Sequence, residues 1–354
     1  MRAIPIHFGL RIVLVMAGFM VSLAQGVHAQ GNGSGTGGSL TGAAVGTAGR
    51  GMAPAATSEF KATRYRIARI DGLDIFYREA GPPDAPAILL LHGFPASSFM
   101  FRDLINSLGG SRYRVVAPDY PGFGYSAAPS TKEFQYTFDK LAEVMEKFTE
   151  HVGLAKYAIY MQDFGGPVGF RLAVRRPERV TALIVQNANA YEEGLPDSFW
   201  APARAFWKAP SAENFAKIRE AAISDAALEW NYTHGVKEAA RISPDSWVLQ
   251  QALVNRPGNK DVMMTLLYDY RTNLGRYAAW QAYFRRYQPP LLIVWGSNDL
   301  IFPPTGARAY LRDLPRAQMH LLDTGHFALE EKSAEIAALM INFLGQPNVG
   351  ERAK

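Results

Sequence analysis

The chain has 354 residues, 48% of them apolar, enough for one large α/β domain or two modest ones. Its 37 basic and 32 acidic side chains leave a net charge of +5 with no dense basic run, too mild a field for nucleic acid as a partner. With no cysteine there can be no disulfide and no lipidated amino-terminal cysteine, a composition that suits an exported protein.

Taken in order, the chain opens with a targeting signature. Arg2 and Arg11 precede an apolar run over 12–27, broken by Ser22 and Gln25. Val27-His28-Ala29 then fits a small-x-small cleavage site, so residues 1–29 are expected to be a secretory signal peptide. The apolar run is shorter than most spanning helices, and no stable membrane association is expected after its removal. Residues 30–58 are rich in Gly, Ala, Ser and Thr and cannot bury enough surface to offset ordering; they are expected to be a flexible linker.

The body alternates strand and helix patterns. Strands are predicted over 65–70 and 73–79 around the turn Asp71-Gly72, then over Ala87–Leu91, 113–117, 157–160, 181–186, 291–295 and Gln318–Leu322. Helices are predicted over 101–108, Phe138–His151, 167–176, 305–314 and 330–344. Residues 190–287 read as mainly helical and hold five of the six tryptophans. This pattern implies a mostly parallel sheet flanked by helices, a core of residues 59–189 and 288–346, and an inserted helical cap over 190–287. Such an insertion would sit at the carboxyl edge of the sheet, where ligands of these folds bind.

One stretch organises the rest. Tyr160-Met161-Gln162-Asp163-Phe164-Gly165-Gly166 runs from a strand through a sharp turn into a helix. The turn would present Asp163 at an exposed apex, where other proteins carry a nucleophile, and the glycines let helix and strand approach closely.

The order of motifs resembles the α/β-hydrolase fold, in the branch that uses an aspartate: epoxide hydrolases and haloalkane dehalogenases. The resemblance rests on His92-Gly93-Phe94-Pro95, on the loop from Asp119 to Ser126, on Gln162-Asp163-Phe164-Gly165-Gly166, on Gly296-Ser297-Asn298-Asp299 and on Gly325-His326-Phe327. It covers about residues 60–345. By resemblance, Asp163 is the nucleophile that forms an ester with a substrate carbon, and His326 is the base that activates water to hydrolyse it. Asp299 orients His326, and the backbone N–H groups of Phe94 and Phe164 form the oxyanion hole. His92 is expected to shape the oxyanion loop and Asp119 to anchor its own loop.

The leaving group decides the reaction. Epoxide opening requires a donor to the ring oxygen, and Tyr270, in Tyr270-Arg271-Thr272-Asn273, stands where the epoxide hydrolases carry such a tyrosine. Halide release requires N–H donors, but Phe164 and Phe94 stand where dehalogenases usually have Trp and Asn. A tryptophan of the insertion, Trp200 or Trp207, would then have to supply the donor. The expected activity is therefore epoxide hydrolase-like on an apolar small molecule, with water as co-substrate. The alternatives are a haloalkane dehalogenase-like hydrolase and a hydrolase-like binding protein without catalysis. No cofactor or metal is expected, because no phosphate-binding Gly-rich loop, Cys cluster or His-x-x-x-His spacing occurs. If the targeting signature acts as expected, the exported protein, periplasmic or secreted, begins near Gln30; amino-terminal sequencing checks this, and an intact Met1 would refute cleavage.

Overall fold

The computed structural model describes residues 62–109 and 112–350; the expected signal peptide and the whole of the expected linker lie outside them. Eight strands form one sheet: β1 (Arg64–Ile70), β2 (Leu73–Ala80), β3 (Ala87–Leu91), β4 (Arg114–Pro118), β5 (Tyr157–Gln162), β6 (Val180–Gln186), β7 (Leu291–Gly296) and β8 (Gln318–Leu322). Their spatial order is β1-β2-β4-β3-β5-β6-β7-β8. The pairs β1–β2 and β2–β4 are antiparallel and every later pair is parallel. Asp71 and Gly72 both take positive φ, +48° and +84°, the backbone that a two-residue hairpin turn requires.

The central strands are buried on both faces, which is why β3 reads as an uninterrupted apolar run. Leu89, Leu91, Ile159 and Val185 point into one core with α2 (Phe138–His151) and α3 (Gly165–Arg175). Ile88, Leu90, Tyr160 and Ile184 point into the other with α1 (Arg102–Gly109) and α12 (Leu329–Leu344). The predicted helix 305–314 divides into α11 (Pro304–Ala309) and a tighter 3-10 turn, Tyr310–Arg312. Tyr310 sinks into the core there, and its hydroxyl donates to the Ala188 carbonyl at 2.7 Å.

Seven helices are inserted between β6 and β7: α4 (Asp197–Lys208), α5 (Ala212–Ile223), α6 (Asp225–Thr233), α7 (Asp245–Val254), α8 (Asn259–Asp269), α9 (Arg271–Leu274) and α10 (Tyr277–Tyr287). Polar contacts pin this insertion to the sheet-bearing part. The Arg102 guanidinium and the Ser246 hydroxyl both donate to buried Glu330, at 2.6 and 2.5 Å. The buried Arg171 guanidinium bridges Asp139 on α2, at 2.6 Å, and Asn273 on α9, at 2.8 Å. The Asn298 side chain donates to the Gly235 carbonyl at 2.8 Å, and a Cβ on Gly325 would lie 2.0 Å from the His234 carbonyl oxygen.

The turn between β5 and α3 is equally tight. A Cβ on Gly165 would lie 2.2 Å from the Leu91 carbonyl oxygen of β3, so backbone, not a movable side chain, excludes it. Gly165→Ala should therefore destabilise the chain by about 1–3 kcal/mol through overpacking. Chemical denaturation measures it, and an unchanged midpoint would mean that the turn yields.

Candidate active site

Four strand ends bring the site together. At the end of β5, Asp163 takes φ +49°, a left-handed backbone uncommon for a residue with a Cβ and a source of local strain. The turn aims its carboxylate away from the sheet, and the residue is 6% exposed. The Phe94 N–H, in the loop after β3, donates to Asp163 Oδ1 at 2.6 Å, and the Phe164 N–H also stabilises the anion. After β8, His326 places Nε2 3.8 Å from Asp163 Oδ2. After β7, Asp299 Oδ2 accepts from His326 Nδ1 at 2.7 Å.

The carboxylate of Asp299 is fully committed. Its Oδ1 accepts from the Ile301 N–H at 2.7 Å, and its Oδ2 also accepts from the Asn187 side-chain amide at 2.7 Å. Asn187 has φ +42°, and its Oδ1 accepts from the Gly296 N–H at 2.9 Å, so it ties the ends of β6 and β7 together beneath Asp299. Asn187 gives no such signal in the sequence; only its place at the end of β6 hints at it. Gln162 and Gln186 are likewise silent in the sequence. Gln162 places its amide nitrogen 3.0 Å from His326 Nε2, and Gln186 donates to the His326 carbonyl at 3.1 Å.

Electrostatics follow from burial. Burial, more than any other cause, pushes the Asp163 carboxyl up to about 6, against the pull of His326 and the two backbone N–H groups. Asp299 and then Asp163 hold the His326 imidazolium above its usual range, against desolvation. Burial pulls His92 down to about 3, so it is a neutral ring. Its Nε2 accepts from the Tyr120 N–H at 3.2 Å and its Nδ1 faces the Gly93 carbonyl at 2.9 Å, a bracing of the Phe94 loop. Asp119 accepts from the Ser98 and Tyr125 N–H groups, at 2.6 and 2.8 Å, as a loop anchor would.

Above Asp163 and His326 lies a cavity of about 320 Å³, walled mainly by Phe94, Phe164, Phe199, Trp200, Phe206, Trp207, Ile218 and Trp230. The Trp200 and Trp207 indole N–H groups do not serve it: they donate to the Ile301 and Leu267 carbonyls at 2.8 and 2.9 Å. Backbone carbonyls left by the chain's turns have claimed the donors that halide release was expected to use. Asn231 also lines the cavity, and its side chain makes no hydrogen bond among the described residues. Tyr270 lies one ring behind the wall rather than in it. It stacks between Trp200 and Trp207, with centroids at 5.1 and 5.9 Å, and lies 5.8 Å from Phe164. Its hydroxyl is buried beside the Tyr277 hydroxyl. Burial, then Tyr277 and Asp163, push its proton affinity well above that of an ordinary phenol.

Residues 86–333 match the family model described as alpha/beta hydrolase fold. An uncharacterized hydrolase of Saccharomyces cerevisiae is 40% identical over 284 residues, which span 80% of this chain and 97% of that protein. Haloalkane dehalogenase 2 of Mycobacterium tuberculosis is 30% identical over 302 residues, 81% of this chain and 94% of its own. Among solved structures, an epoxide hydrolase from Vigna radiata superposes with a TM-score of 0.63 at 20% identity, covering 80% of this chain and 98% of that one, a likeness of fold.

The raised Asp163 carboxyl has a consequence for stability. Its affinity in the fold, about 6 against the usual 3.8, means that the folded chain holds this proton more tightly than the unfolded one. The contribution is present in full below about pH 4 and is lost as pH rises through 6. Asp163→Asn should therefore stabilise the chain by about 3 kcal/mol at pH 7 and by little at pH 4. Denaturant midpoints at the two pH values check this; an equal gain at both would mean that ionisation is not the cause.

Proposed function

The chain belongs to the alpha/beta hydrolase fold family, and on that premise we propose that it is a hydrolase that works through a covalent ester on Asp163. The carrying observation is the division of labour on one carboxylate. Oδ1 rests on the Phe94 N–H at 2.6 Å, while Oδ2 stands 3.8 Å from His326 at the floor of an apolar cavity. Oδ2 attacks a saturated carbon and the bond from that carbon to its leaving group breaks. Water then adds to the Asp163 carboxyl carbon and gives its proton to His326. The negative charge of the tetrahedral adduct falls on Oδ1, which the Phe94 N–H already holds. The adduct collapses by breaking the bond from the carboxyl carbon to Oδ2, which leaves on the substrate carbon as an alcohol with the proton from His326, and the oxygen of the water restores the carboxylate. Asp299, held by Asn187 and the Ile301 N–H, stabilises the imidazolium while it exists.

For the leaving group, the first reading is an epoxide oxygen, with Tyr270 as its proton donor. Its hydroxyl lies beside Tyr277 and within reach of the Asp163 charge, so a shift of one wall ring would bring it to an oxygen of a substrate held on that carboxylate. Its high proton affinity keeps it protonated at any working pH. The indole N–H groups of Trp200 and Trp207 are already taken, which disfavours them as halide donors. A second reading, halide release, is favoured by the Asn231 amide on the cavity wall and by the 30% identity to a haloalkane dehalogenase. The apolar wall suits a small hydrocarbon-bearing substrate in either case.

Two measurements test this. His326→Gln should accumulate the ester, seen as a mass adduct on the peptide that holds Asp163, and a single wild-type turnover in ¹⁸O-water should label the Asp163 carboxylate. Label in the product alone, with no adduct, would mean that water attacks the substrate directly. Tyr270→Phe should lower epoxide turnover on the order of 10²-fold and leave halide turnover unchanged. Equal epoxide turnover in this variant would return Tyr270 to packing alone and leave halide release as the better reading.

A further inference from the structure

Gln162 precedes the nucleophile, is fully buried, and has its side chain between the two catalytic loops. Its amide nitrogen lies 3.0 Å from His326 Nε2 and 3.5 Å from the His326 carbonyl oxygen. A carbonyl oxygen only accepts, so the nitrogen is the end of the amide that belongs on this side. The other end, Oε1, is buried with no partner among the described residues and faces Gly93, where a Cβ would come within 2.0 Å of it.

Asp299 takes the proton of His326 Nδ1 at 2.7 Å. In the neutral ring Nε2 then carries the lone pair, and Gln162 donates into it. In the imidazolium, Nε2 would carry a proton, and two N–H groups would confront each other. The charged groups that act on the ring are Asp299 and Asp163, at 2.7 and 3.8 Å, and both favour the imidazolium. Its other ring neighbours, Phe302 and Phe327, carry no charge. Gln162 is thus the contact at Nε2 that favours the neutral form.

We propose that Gln162 is a positioning residue that keeps His326 neutral and Nδ1-protonated before the ester forms, so that a base is ready to activate water. The role rests on the ester reading for its purpose, but the hydrogen bond itself does not. An imidazolium has no lone pair and cannot deprotonate water, so two carboxylates facing the ring would hold the second half of the reaction back. Gln162 opposes them, and hydrolytic water takes its place at Nε2 once alkylation has removed the Asp163 charge.

The test is a ¹⁵N-histidine NMR titration of the full chain, with His326→Gln to assign the resonance. Wild type should show the Nδ1-protonated neutral tautomer at pH 7. Gln162→Met, of similar length but without the donor, should raise the His326 midpoint by about one pH unit. Gln162→Glu, which offers only acceptors, should raise it further. In the same order the acid limb of ester hydrolysis should move to higher pH, while ester formation changes less. A wild-type Nε2 proton at pH 7, or a midpoint that Gln162→Met leaves in place, would overturn the inference. If Gln162→Met fails to fold, Gln162→Glu carries the comparison, and a midpoint that it leaves in place overturns the inference. If no ester ever forms on Asp163, the titration still reports on Gln162, so the two failures are distinct.

Discussion

The geometry depends on a single backbone constraint: the chain must reverse at Asp163 in a left-handed conformation while β3 lies against the turn. The Leu91 carbonyl fixes how near α3 can come, and Gly165 is the residue that lets it come so near. The rest is then placed by neighbouring strands. β3 delivers the Phe94 N–H, β7 delivers Asp299, and β8 delivers His326. Because the strands are parallel, their carboxyl ends share one edge, and three loops distant in sequence meet there.

Burial then sets the chemistry. Two carboxylates and an imidazole, all three buried, share one space, and each depends on a few fixed dipoles for its charge. Asp299 has an amide and a backbone N–H in addition to His326. Asp163 has two backbone N–H groups and still holds its proton more tightly than an exposed aspartate does. A carboxylate that is poorly solvated is also a better nucleophile, so the stability it gives up and its reactivity have one origin.

The sheet was legible because its central strands are buried on both faces and write themselves as apolar runs, as Ile88 to Leu91 does. The place of Asp163 was legible because a strand, a sharp turn and paired glycines mark the apex that the structure gives it. Amide side chains such as Asn187, Gln162 and Gln186 were not, since an amide has the same letter whether it faces solvent or a catalytic ring. Their roles come from parallel strands whose register only the fold supplies. Trp200 and Trp207 show the converse case. Their N–H groups looked available in a helical segment, but carbonyls from distant turns had claimed them. Tyr270 sat at the expected point in the chain, yet the stacking of three rings around it put it behind the cavity wall. Helix 305–314 ended early because a tyrosine reached a carbonyl that local periodicity does not record.

The pins between the insertion and the sheet-bearing part govern traffic as well as shape. Swinging the insertion away as one rigid lid would pull the Ser246 hydroxyl off Glu330 and Arg102, in a place where the Glu330 charge is hidden from water. It would also lift the His234–Gly235 segment off Gly325, next to His326. Opening on that scale would disassemble the site each time a molecule entered. Passage therefore falls to single side chains at the rim, such as Phe199, which is 37% exposed. Rotamer changes of exposed side chains take picoseconds to nanoseconds, whereas domain hinges take microseconds to milliseconds. Selection by size would accordingly be exercised at the doorway, by rings that step aside for slim molecules and block broad ones.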